Sequence, residues 1–468
     1  MTSGPSRRTF LRAGSAAAVG LSFPGSARRL LAGARPRVGI VGGGLAGVAC
    51  AWLLDGVADA VLFESGPALG GHAHTIAVVE GNEEIAVDVG AQFFASGTHP
   101  TYEKLLEVLG LLDPDRPDED STIEATMTFA LTETGLRRPR FVSPSPGRAW
   151  PLLAPWNRAA LRAFLVFALS AKRFAQDGDW LVSLGHWLED LPVPAEQRER
   201  VLLPLVSAMT GCALEQAPAL SARSALFFIA NALPKKLWAP LLYRNSLRGL
   251  GGNVEYLAGQ SHDLIAHMGS PVTSVRPGEA GGYRIQNAAG ICEQADVVVF
   301  ATPPYVAALL LPDVPDLEGA AGLLEELEYF TADIVIHRDP VYMPQNGRYW
   351  SAYNANTDGS HCEGSIWYGA LRRVAEGDAP LSLFKSWATA RSEAPRDEVF
   401  RRTFRHPLIT PAFIEGQRRL TAYQGRGDVW FAGSYTKEVD SQETALTSAM
   451  NVVAHLDPQA PNLLRLQA

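Results

Sequence analysis

The sequence predicts an α/β fold in which a doubly wound parallel sheet is interleaved with a helical or mixed second domain. Three observations predict it: a glycine-rich turn near residue 42, a long helical region after it, and buried strands that return near residues 297 and 430. Such returns are typical of one sheet assembled from separated parts of a chain. With 468 residues, 47% hydrophobic and 19% charged, the chain can fill two domains and is too apolar to be disordered.

The first 34 residues differ from the rest of the chain. Ser6–Arg12 places a twin arginine before the apolar run Ala13–Phe23, and Ala32–Ala34 offers small residues for cleavage. This pattern resembles a twin-arginine export signal, and the apolar run is shorter than the roughly 20 residues that span a bilayer. We expect cleavage after Ala34, export to the periplasm or cell exterior by the twin-arginine machinery, and no transmembrane span. A basic disordered tail or an uncleaved anchor is the alternative.

Charge and cysteine spacing exclude two classes of site. The formal charge is −8, and residues 1–34 carry five arginines and no acid, so the remainder carries −13. This acidity argues against nucleic acid binding. Cys50, Cys212, Cys292 and Cys362 show no CxxC or histidine-rich spacing, so we expect neither a metal site nor a disulfide framework.

A G-x-G-x-x-G turn follows the first strand-like run, Arg37–Val41, and opens a helical stretch. Glycines let a pyrophosphate approach the backbone, and the helix N terminus carries partial positive charge. A second strand, Ala60–Phe63, ends in Glu64, 17 residues beyond the last glycine, where a carboxylate can accept hydrogen bonds from ribose. The pattern predicts a dinucleotide site rather than a purely structural turn, with these contacts: Gly42, Gly44, Leu45, Ala46, Gly47 and Glu64.

The continuation of the chain distinguishes between dinucleotides. Gly70-Gly71-His72-Ala73-His74-Thr75 is followed by the strand Ile85–Asp88 and by Gly90. Here the chain resembles the flavin-containing amine oxidase superfamily, whose GG-(R/H)-xxT and D-x-G elements lie along the FAD pyrophosphate and lead to the flavin ring. The resemblance implies FAD contacts at Gly70, Gly71, His72 and Gly90. His72 stands where many members carry arginine, and a solvated pair of His72 and His74 is the alternative.

From about residue 92 to 244 the pattern is helical, with few strands. Helices are predicted at Tyr102–Leu109, Arg158–Phe174, Leu181–Leu188, Glu196–Met209 and Ser221–Ala232. The segment Leu161–Leu169 is apolar on nearly every face. Such a helix is usually buried core, and a wall of a lipophilic substrate tunnel or a membrane-facing patch are the alternatives.

The chain then returns to α/β character. A helix is predicted from Leu247 to about Ile265, then the strand Pro271–Val275, a hairpin, and a buried strand from Ala295 that stops at Pro303 and Pro304. In the family the valine that matches Val272 contacts the adenine end of FAD through its backbone, which the resemblance therefore implies here. Between residues 305 and 420, strands at Ala332–His337 and Ser365–Tyr368 accompany many aromatic residues, to which we assign no role.

The last strand, Asp428–Gly433, carries a glycine at its carboxyl end and is followed by a helix near Ser441. Matching family members have F-A-G in this strand and an acidic residue at the helix start, whose backbone N–H groups face the flavin pyrimidine. The resemblance thus implies cofactor contacts at Gly433, Glu443 and Thr444. Two distant segments meeting on one cofactor favour FAD over NAD.

Two departures from the family pattern concern the substrate. Amine oxidases carry an aromatic cage residue where this chain has Ser441, and a lysine near the flavin on a later strand, whereas no lysine lies between Lys236 and Lys385. Both departures argue against an amine substrate. His406-Pro407, Gly416-Gln417 and Gln424-Gly425 resemble elements of bacterial predicted FAD-binding proteins of this superfamily. His406 is a candidate general base, although a structural histidine is the commoner case, and no catalytic residue is assigned.

The predicted organisation is a signal peptide at 1–34, an FAD-binding domain from 35–95, 245–304 and 421–468, and a substrate domain from 96–244 and 305–420. We expect an exported FAD-dependent oxidoreductase that takes a hydride from a lipophilic small molecule. The alternatives are a redox-neutral isomerase of an unsaturated acyl chain, and a flavoprotein with structural FAD that binds a partner. Peripheral membrane contact is left open.

Overall fold

The computed structural model describes residues 35–113, 121–233, 239–372 and 380–468. The predicted export signal lies outside these residues. The described strands, in chain order, are β1 Arg37–Val41, β2 Asp59–Phe63, β3 Thr75–Glu80, β4 Glu83–Asp88, β5 Thr122–Thr126, β6 Phe129–Glu133, β7 Phe141–Val142, β8 Leu242–Ser246, β9 Leu264–His267, β10 Val272–Pro277, β11 Tyr283–Asn287, β12 Cys292–Ala295, β13 Val297–Phe300, β14 Tyr329–His337, β15 Tyr353–Thr357, β16 Cys362–Trp367, β17 Phe384–Trp387, β18 Glu398–Pro407 and β19 Val429–Phe431.

Helices connect and cover these strands. The described α-helices are α1 Leu45–Leu53, α2 Pro100–Val108, α3 Trp150–Leu153, α4 Arg158–Asp177, α5 Leu184–Glu189, α6 Ala195–Gln197, α7 Leu203–Thr210, α8 Ala222–Ala225, α9 Phe227–Ala232, α10 Gly249–Gly259, α11 Pro304–Leu310, α12 Glu318–Glu325, α13 Tyr368–Leu371, α14 Pro411–Leu420, α15 Gln442–Leu456 and α16 Pro461–Gln467. Across these described ranges, no helix combines the length and apolar character that a membrane crossing requires.

The first domain is built on a parallel five-stranded sheet with the strand order β19-β13-β1-β2-β9. Its strands are short apolar runs, as expected for a sheet that is buried on both faces. Along β1, Ile40 faces the helices α1, α10 and α15, whereas Val41 faces the three-stranded sheet β10-β11-β12 and α11, α12 and α14. The predicted doubly wound sheet is confirmed.

The second domain is a mixed seven-stranded sheet, ordered β18-β14-β17-β16-β15-β6-β7, with the helices α4, α5, α7, α8 and α9 packed in the same core. All pairs are antiparallel except β6 with β15. β6 and β7 come from the region that was predicted to be mainly helical. Aromatic and β-branched residues in Phe129–Glu133 and Phe141–Val142 explain why these short segments pair as strands.

Two sequence predictions need correction. The helix predicted from Leu247 to about Ile265 ends at Gly259, and Leu264–His267 instead forms the edge strand β9 beside β2. Glycine at the end of α10 weakens the helix, and the pairing groups of β2 stabilise the strand. The apolar segment Leu161–Leu169 is also only partly core: Phe167 is fully buried, but Leu165 and Leu169 are 45% and 48% exposed.

Candidate functional site

A cavity of about 990 Å³ runs between the two domains and follows the carboxyl edge of the five-stranded sheet from β19 to β2. Its walls include the β1–α1 turn, the end of β2, the start of β10, strands β14, β17 and β18, and the β19–α15 connection. Ligands of open α/β sheets bind at this edge. The cavity therefore joins the predicted nucleotide-binding segments to the second domain.

The β1–α1 turn has the geometry of a phosphate site. Gly42 adopts φ +111°, and a Cβ there would lie 2.6 Å from the Ala301 carbonyl oxygen, so only glycine fits. Gly44, the N-cap of α1, has no side chain to cap the helix, and the first turn of α1 holds no acid. Its N terminus, with Gly42, Gly44, Leu45 and Ala46, faces the cavity. Gly47 does not line it: a Cβ there would lie 2.0 Å from the Gly42 oxygen, so this glycine serves close packing.

Glu64 stands at the carboxyl end of β2 and lines the cavity, as predicted. Its Oε2 accepts a hydrogen bond from the Gly43 N–H at 2.7 Å, and its Oε1 accepts one from the Gly66 N–H at 2.6 Å. These bonds fix the carboxylate beside the glycine turn and leave acceptor capacity for ribose hydroxyls.

The loop after β2 closes over the glycine turn. Gly70 donates its N–H to the Gly43 carbonyl at 2.9 Å, and both Gly70 and Gly71 have positive φ. The two glycines, with Gly90 and Val272, line the cavity. The structure thus brings four distant parts of the predicted site together.

His72 reaches β18 from this loop. Its Nε2 lies 2.9 Å from the Arg405 carbonyl oxygen, and its ring centroid lies 5.3 Å from that of His406. The ring is exposed to the cavity but crowded by protein, and this desolvation, together with the nearby His406, lowers the pKa of His72. His72 is thus a wall of the cavity rather than half of a solvated pair.

His406 belongs to a small polar cluster. Its Nδ1 lies 3.6 Å from Asp440 Oδ2, and the other oxygen of Asp440 accepts a hydrogen bond from Ser434. All three residues line the cavity. A carboxylate next to the ring occurs in structural and in general-base histidines alike, so both interpretations of His406 stay open.

The N terminus of α15 meets the cavity through Ser441 and Gln442 rather than through Glu443 and Thr444. Ser441 and Thr444 form a reciprocal capping box. The Glu443 carboxylate accepts the N–H groups of Thr101 and Tyr102, at 3.1 and 2.8 Å, and so caps α2.

The predicted cofactor contacts at Glu443 and Thr444 are contacts of backbone N–H groups at the helix start, and they stay a prediction; the side chains of both residues are engaged within the protein. The helix start lies where the sequence placed it, but successive helical residues point in different directions, and α2 supplies a second partner for the acid. Gly433 does line the cavity, with φ +141°.

Two hydroxyls in the cavity wall indicate a polar ligand. Thr302 Oγ1 and Tyr435 Oη are buried and have no hydrogen-bond partner within the described ranges. Buried hydroxyls without partners are rare, because each costs free energy. With the anion-binding turn, the Glu64 carboxylate and an elongated cavity, they fit a dinucleotide such as FAD, which would be held by the glycine turn, Glu64, the Gly70–His72 loop and Val272.

Lys385 is a site residue that sequence reasoning missed. It lies on β17, is 2% exposed, and donates hydrogen bonds from Nζ to the Gly90 carbonyl and, at 3.3 Å, to Gln92 Oε1. Burial lowers the pKa of Lys385 to about 8, and the nearby Asp88 carboxylate opposes this shift. The absence of a lysine between Lys236 and Lys385 therefore does not argue against an amine substrate, since Lys385 itself reaches the cavity.

His99 and Gln442 are two further cavity residues that the sequence did not reveal. His99 precedes α2 and is 1% exposed, with Nδ1 2.7 Å from Thr98 Oγ1. Burial lowers the pKa of His99 to about 3, so the ring is neutral at physiological pH. Gln442 donates from Nε2 to the Phe93 carbonyl at 2.6 Å. Neither belongs to a motif, so only the fold could identify them.

The wall of the cavity beyond Lys385 is apolar. We call it the apolar wall; it consists of Phe93, Met127, Phe129, Met209, Leu220, Phe228, Tyr243, Ile366 and Trp387. The rings of Trp387 and Tyr353, and of Tyr353 and Phe129, lie 6.3 and 6.0 Å apart. Among the described lining residues the only carboxylates are Glu64 and Asp440, and neither belongs to this wall.

Comparison with known proteins agrees with this geometry. Residues 45–352 match the family model of flavin containing amine oxidoreductase. A search of curated protein sequences gave no significant match. Similar solved structures with 12 to 15% sequence identity show the same fold.

Three of these structures illustrate the range of that fold. Cyclohexylamine oxidase from Brevibacterium oxydans IH-35A has 15% identity and a TM-score of 0.62 over 91% of this chain and 99% of its own. Putrescine oxidase bound to putrescine has 15% identity and a TM-score of 0.61 over 90% and 99%. A fatty acid isomerase from P. acnes has 12% identity and a TM-score of 0.60 over 90% and 99%. The chain belongs to the flavin containing amine oxidoreductase family and is an FAD-dependent oxidoreductase.

Proposed function

We propose that this protein is an exported oxidoreductase that takes a hydride from an uncharged, apolar small molecule. The observation that carries the proposal is that Lys385, the Gly90–Gln92 backbone and the apolar wall share one cavity. When bound, FAD supplies a two-electron acceptor for hydride. Binding by the glycine turn and by Val272 would set its adenosine end, which leaves the apolar wall for substrate.

The polarity of the apolar wall supports an uncharged substrate. Burying a charge without a partner is costly, and this wall offers no carboxylate to pair with an ammonium group. A buried cation adjoins this wall, since Lys385 Nζ lies 5.7 Å from the centre of the Trp387 ring. Contacts with phenylalanine, methionine and leucine side chains would instead stabilise a hydrocarbon chain or ring.

Proton transfer is the second task of the site. Removal of a hydride from a C–H bond is completed when a neighbouring proton leaves the substrate for a base. Lys385, whose pKa burial lowers to about 8, is present partly in its neutral form near physiological pH and can accept that proton at Nζ. Turnover would require an electron acceptor, either O₂ or a partner protein.

A redox-neutral isomerase is the second candidate. The apolar wall would accept an unsaturated acyl chain, and the fatty acid isomerase from P. acnes shares the fold. Hydride and proton would then return to the same molecule. Product mass separates the two candidates: oxidation lowers the substrate mass by two hydrogens, and isomerisation leaves it unchanged. Product of unchanged mass, formed without O₂ consumption, would favour the isomerase.

Export rests on the twin arginine at Arg7 and Arg8, which precedes an apolar run and a small-residue cleavage site. Replacing both arginines by lysine should retain the protein in the cytoplasm as the longer precursor. Sequencing of the exported protein should begin at Arg35. Export of the doubly substituted chain would contradict this part of the proposal.

A further inference from the structure

An exposed apolar surface lies on α3 and α4, outside the cavity. We call it the α3–α4 face, defined by Leu152, Leu153, Leu165 and Leu169, which are 55%, 75%, 45% and 48% exposed. Single exposed leucines are ordinary, but four on two consecutive helices form a patch of the kind that marks an interaction site.

Basic residues border these leucines along α4. Arg158, Arg162, Leu165, Leu169 and Arg173 are spaced three or four residues apart and so follow one ridge of the helix. The ridge therefore has leucines in its middle and arginines at both ends, and Lys172 lies beside Arg173. The opposite side of α4, which includes Ala163, Phe167 and Ala171, is buried in the domain core.

Amphipathic aromatic residues lie next to the face. The rings of Trp150 and Trp156 are 6.5 Å apart, and Tyr349 packs against both. The guanidinium groups of Arg148 and Arg348 lie 5.6 and 4.4 Å from the Trp150 ring. Tryptophan and tyrosine with neighbouring arginines are enriched where a protein meets the headgroup layer of a bilayer.

The charge of the α3–α4 face is opposite to that of the whole chain. The chain carries −8, whereas the exposed side of α4 carries Arg158, Arg162, Lys172 and Arg173. None of these four forms an ion pair with another residue in the described part of the chain, and the acids Asp177 and Asp179 come only at the end of the helix. Unpaired cations around an apolar centre attract anionic lipid headgroups.

We propose that the α3–α4 face binds the surface of a membrane that contains anionic lipid. α4 lies in the plane of the surface, its leucines enter the acyl boundary, and its arginine and lysine side chains extend to the headgroups. A second copy of the chain is a poorer occupant, because a two-fold contact through this face would bring the basic ends of α4 into one interface.

The test is co-sedimentation of the holoenzyme with vesicles of phosphatidylcholine alone and of phosphatidylcholine with phosphatidylglycerol. We expect the wild type to bind the anionic vesicles, and added salt to weaken binding. The Leu165→Gln, Leu169→Gln variant should partition at least about tenfold less. Leu309→Gln, on α11 with a side chain 75% exposed, is the matched control and should bind like the wild type.

Three results would overturn the proposal. The first is a wild-type protein that stays in the supernatant with anionic vesicles, and the second is a leucine double variant that binds them equally well. The third is a concentration-dependent dimer that the double substitution dissociates, since this would make a second copy the occupant. Retained flavin absorbance in each variant shows that it is folded, and none of these outcomes depends on the substrate.

Discussion

The ammonium group of Lys385 donates a hydrogen bond to the backbone carbonyl of Gly90, 295 positions earlier in the chain. One residue belongs to strand β17 of the second domain, and the other follows the β3–β4 hairpin beside the five-stranded sheet. This bond joins the two domains at the cavity. It also holds a buried cation against the loop that the family resemblance associates with the flavin ring.

Lys385 should make the free energy of unfolding depend on pH in the alkaline range. Burial lowers the pKa of Lys385 to about 8, so above that pH the folded state releases a proton that the unfolded state keeps up to about pH 10.4. Between these two pKa values the unfolded state binds more protons than the folded state, so the contribution of Lys385 to the free energy of unfolding rises with pH. The difference in denaturation midpoint between wild type and Lys385→Met should therefore shift in favour of wild type between about pH 7.5 and 9.5. A constant difference would contradict the assignment.

Gly44→Ala should separate cofactor binding from folding. A Cβ at Gly44 meets nothing closer than the Gly70 carbonyl at 3.9 Å, so the fold tolerates it, yet it would project at the anion-binding turn. We expect the affinity for FAD to fall at least about tenfold with an unchanged thermal transition of the apoprotein. Gly259→Ala, whose Cβ would meet open space, is the control and should bind FAD normally. Normal binding by Gly44→Ala would exclude this turn as the pyrophosphate site.

His99 should contribute to acid sensitivity. Burial lowers the pKa of His99 to about 3, so the folded state resists a proton that the unfolded state accepts below about pH 6.5. The contribution of this group to the free energy of unfolding is complete above about pH 6.5 and decreases as the pH falls towards about 3. The loss reaches about 2 to 3 kcal/mol at about pH 4.5. Between about pH 7 and 4.5, the free energy of unfolding of His99→Asn should therefore fall by about 2 to 3 kcal/mol less than that of the wild type. An equal slope in both proteins would contradict this reasoning.

Glu443 should prove structural rather than cofactor-binding. Its carboxylate accepts two N–H groups at the start of α2, so Glu443→Ala leaves both without that partner. We expect the free energy of unfolding to fall by about 1 to 3 kcal/mol. FAD affinity, measured by fluorescence titration, should change little. Glu438→Ala, at an exposed position on the same connection, is the control. A selective loss of FAD in Glu443→Ala would contradict this account and would make the carboxylate itself a cofactor ligand.

Local patterns indicated the segments that meet at the glycine turn, and their contacts with FAD stay a prediction. The glycine turn, Glu64 and the Gly70–His72 loop depend on backbone conformation and strand order, which leave marks in the sequence. Val272 could be named only through the family resemblance, because a backbone contact selects no side chain. The domain boundaries stay a prediction, although the five parallel strands fall within the segments assigned to the first domain.

The second half of the site could not be predicted, because its residues meet only through long-range pairing. Lys385 sits on a four-residue strand whose position depends on β14 and β16, and His99 and Gln442 belong to no motif. The sequence indicated the helix start at Glu443, but the partner of its carboxylate depended on α2 and could not be predicted. A lone lysine within Leu383–Trp387 was the one available sign of a buried functional cation.

The most direct test of the proposed function is anaerobic mixing of the oxidised holoenzyme with chloroform-soluble and with aqueous bacterial extracts, followed by flavin absorbance. If the hydride donor is apolar, the chloroform-soluble fraction should bleach the flavin absorbance and the aqueous fraction should leave it unchanged. Addition of O₂ should then restore the absorbance. Bleaching by the aqueous fraction alone would contradict it, because a polar donor would then be the substrate despite the apolar wall beside Lys385.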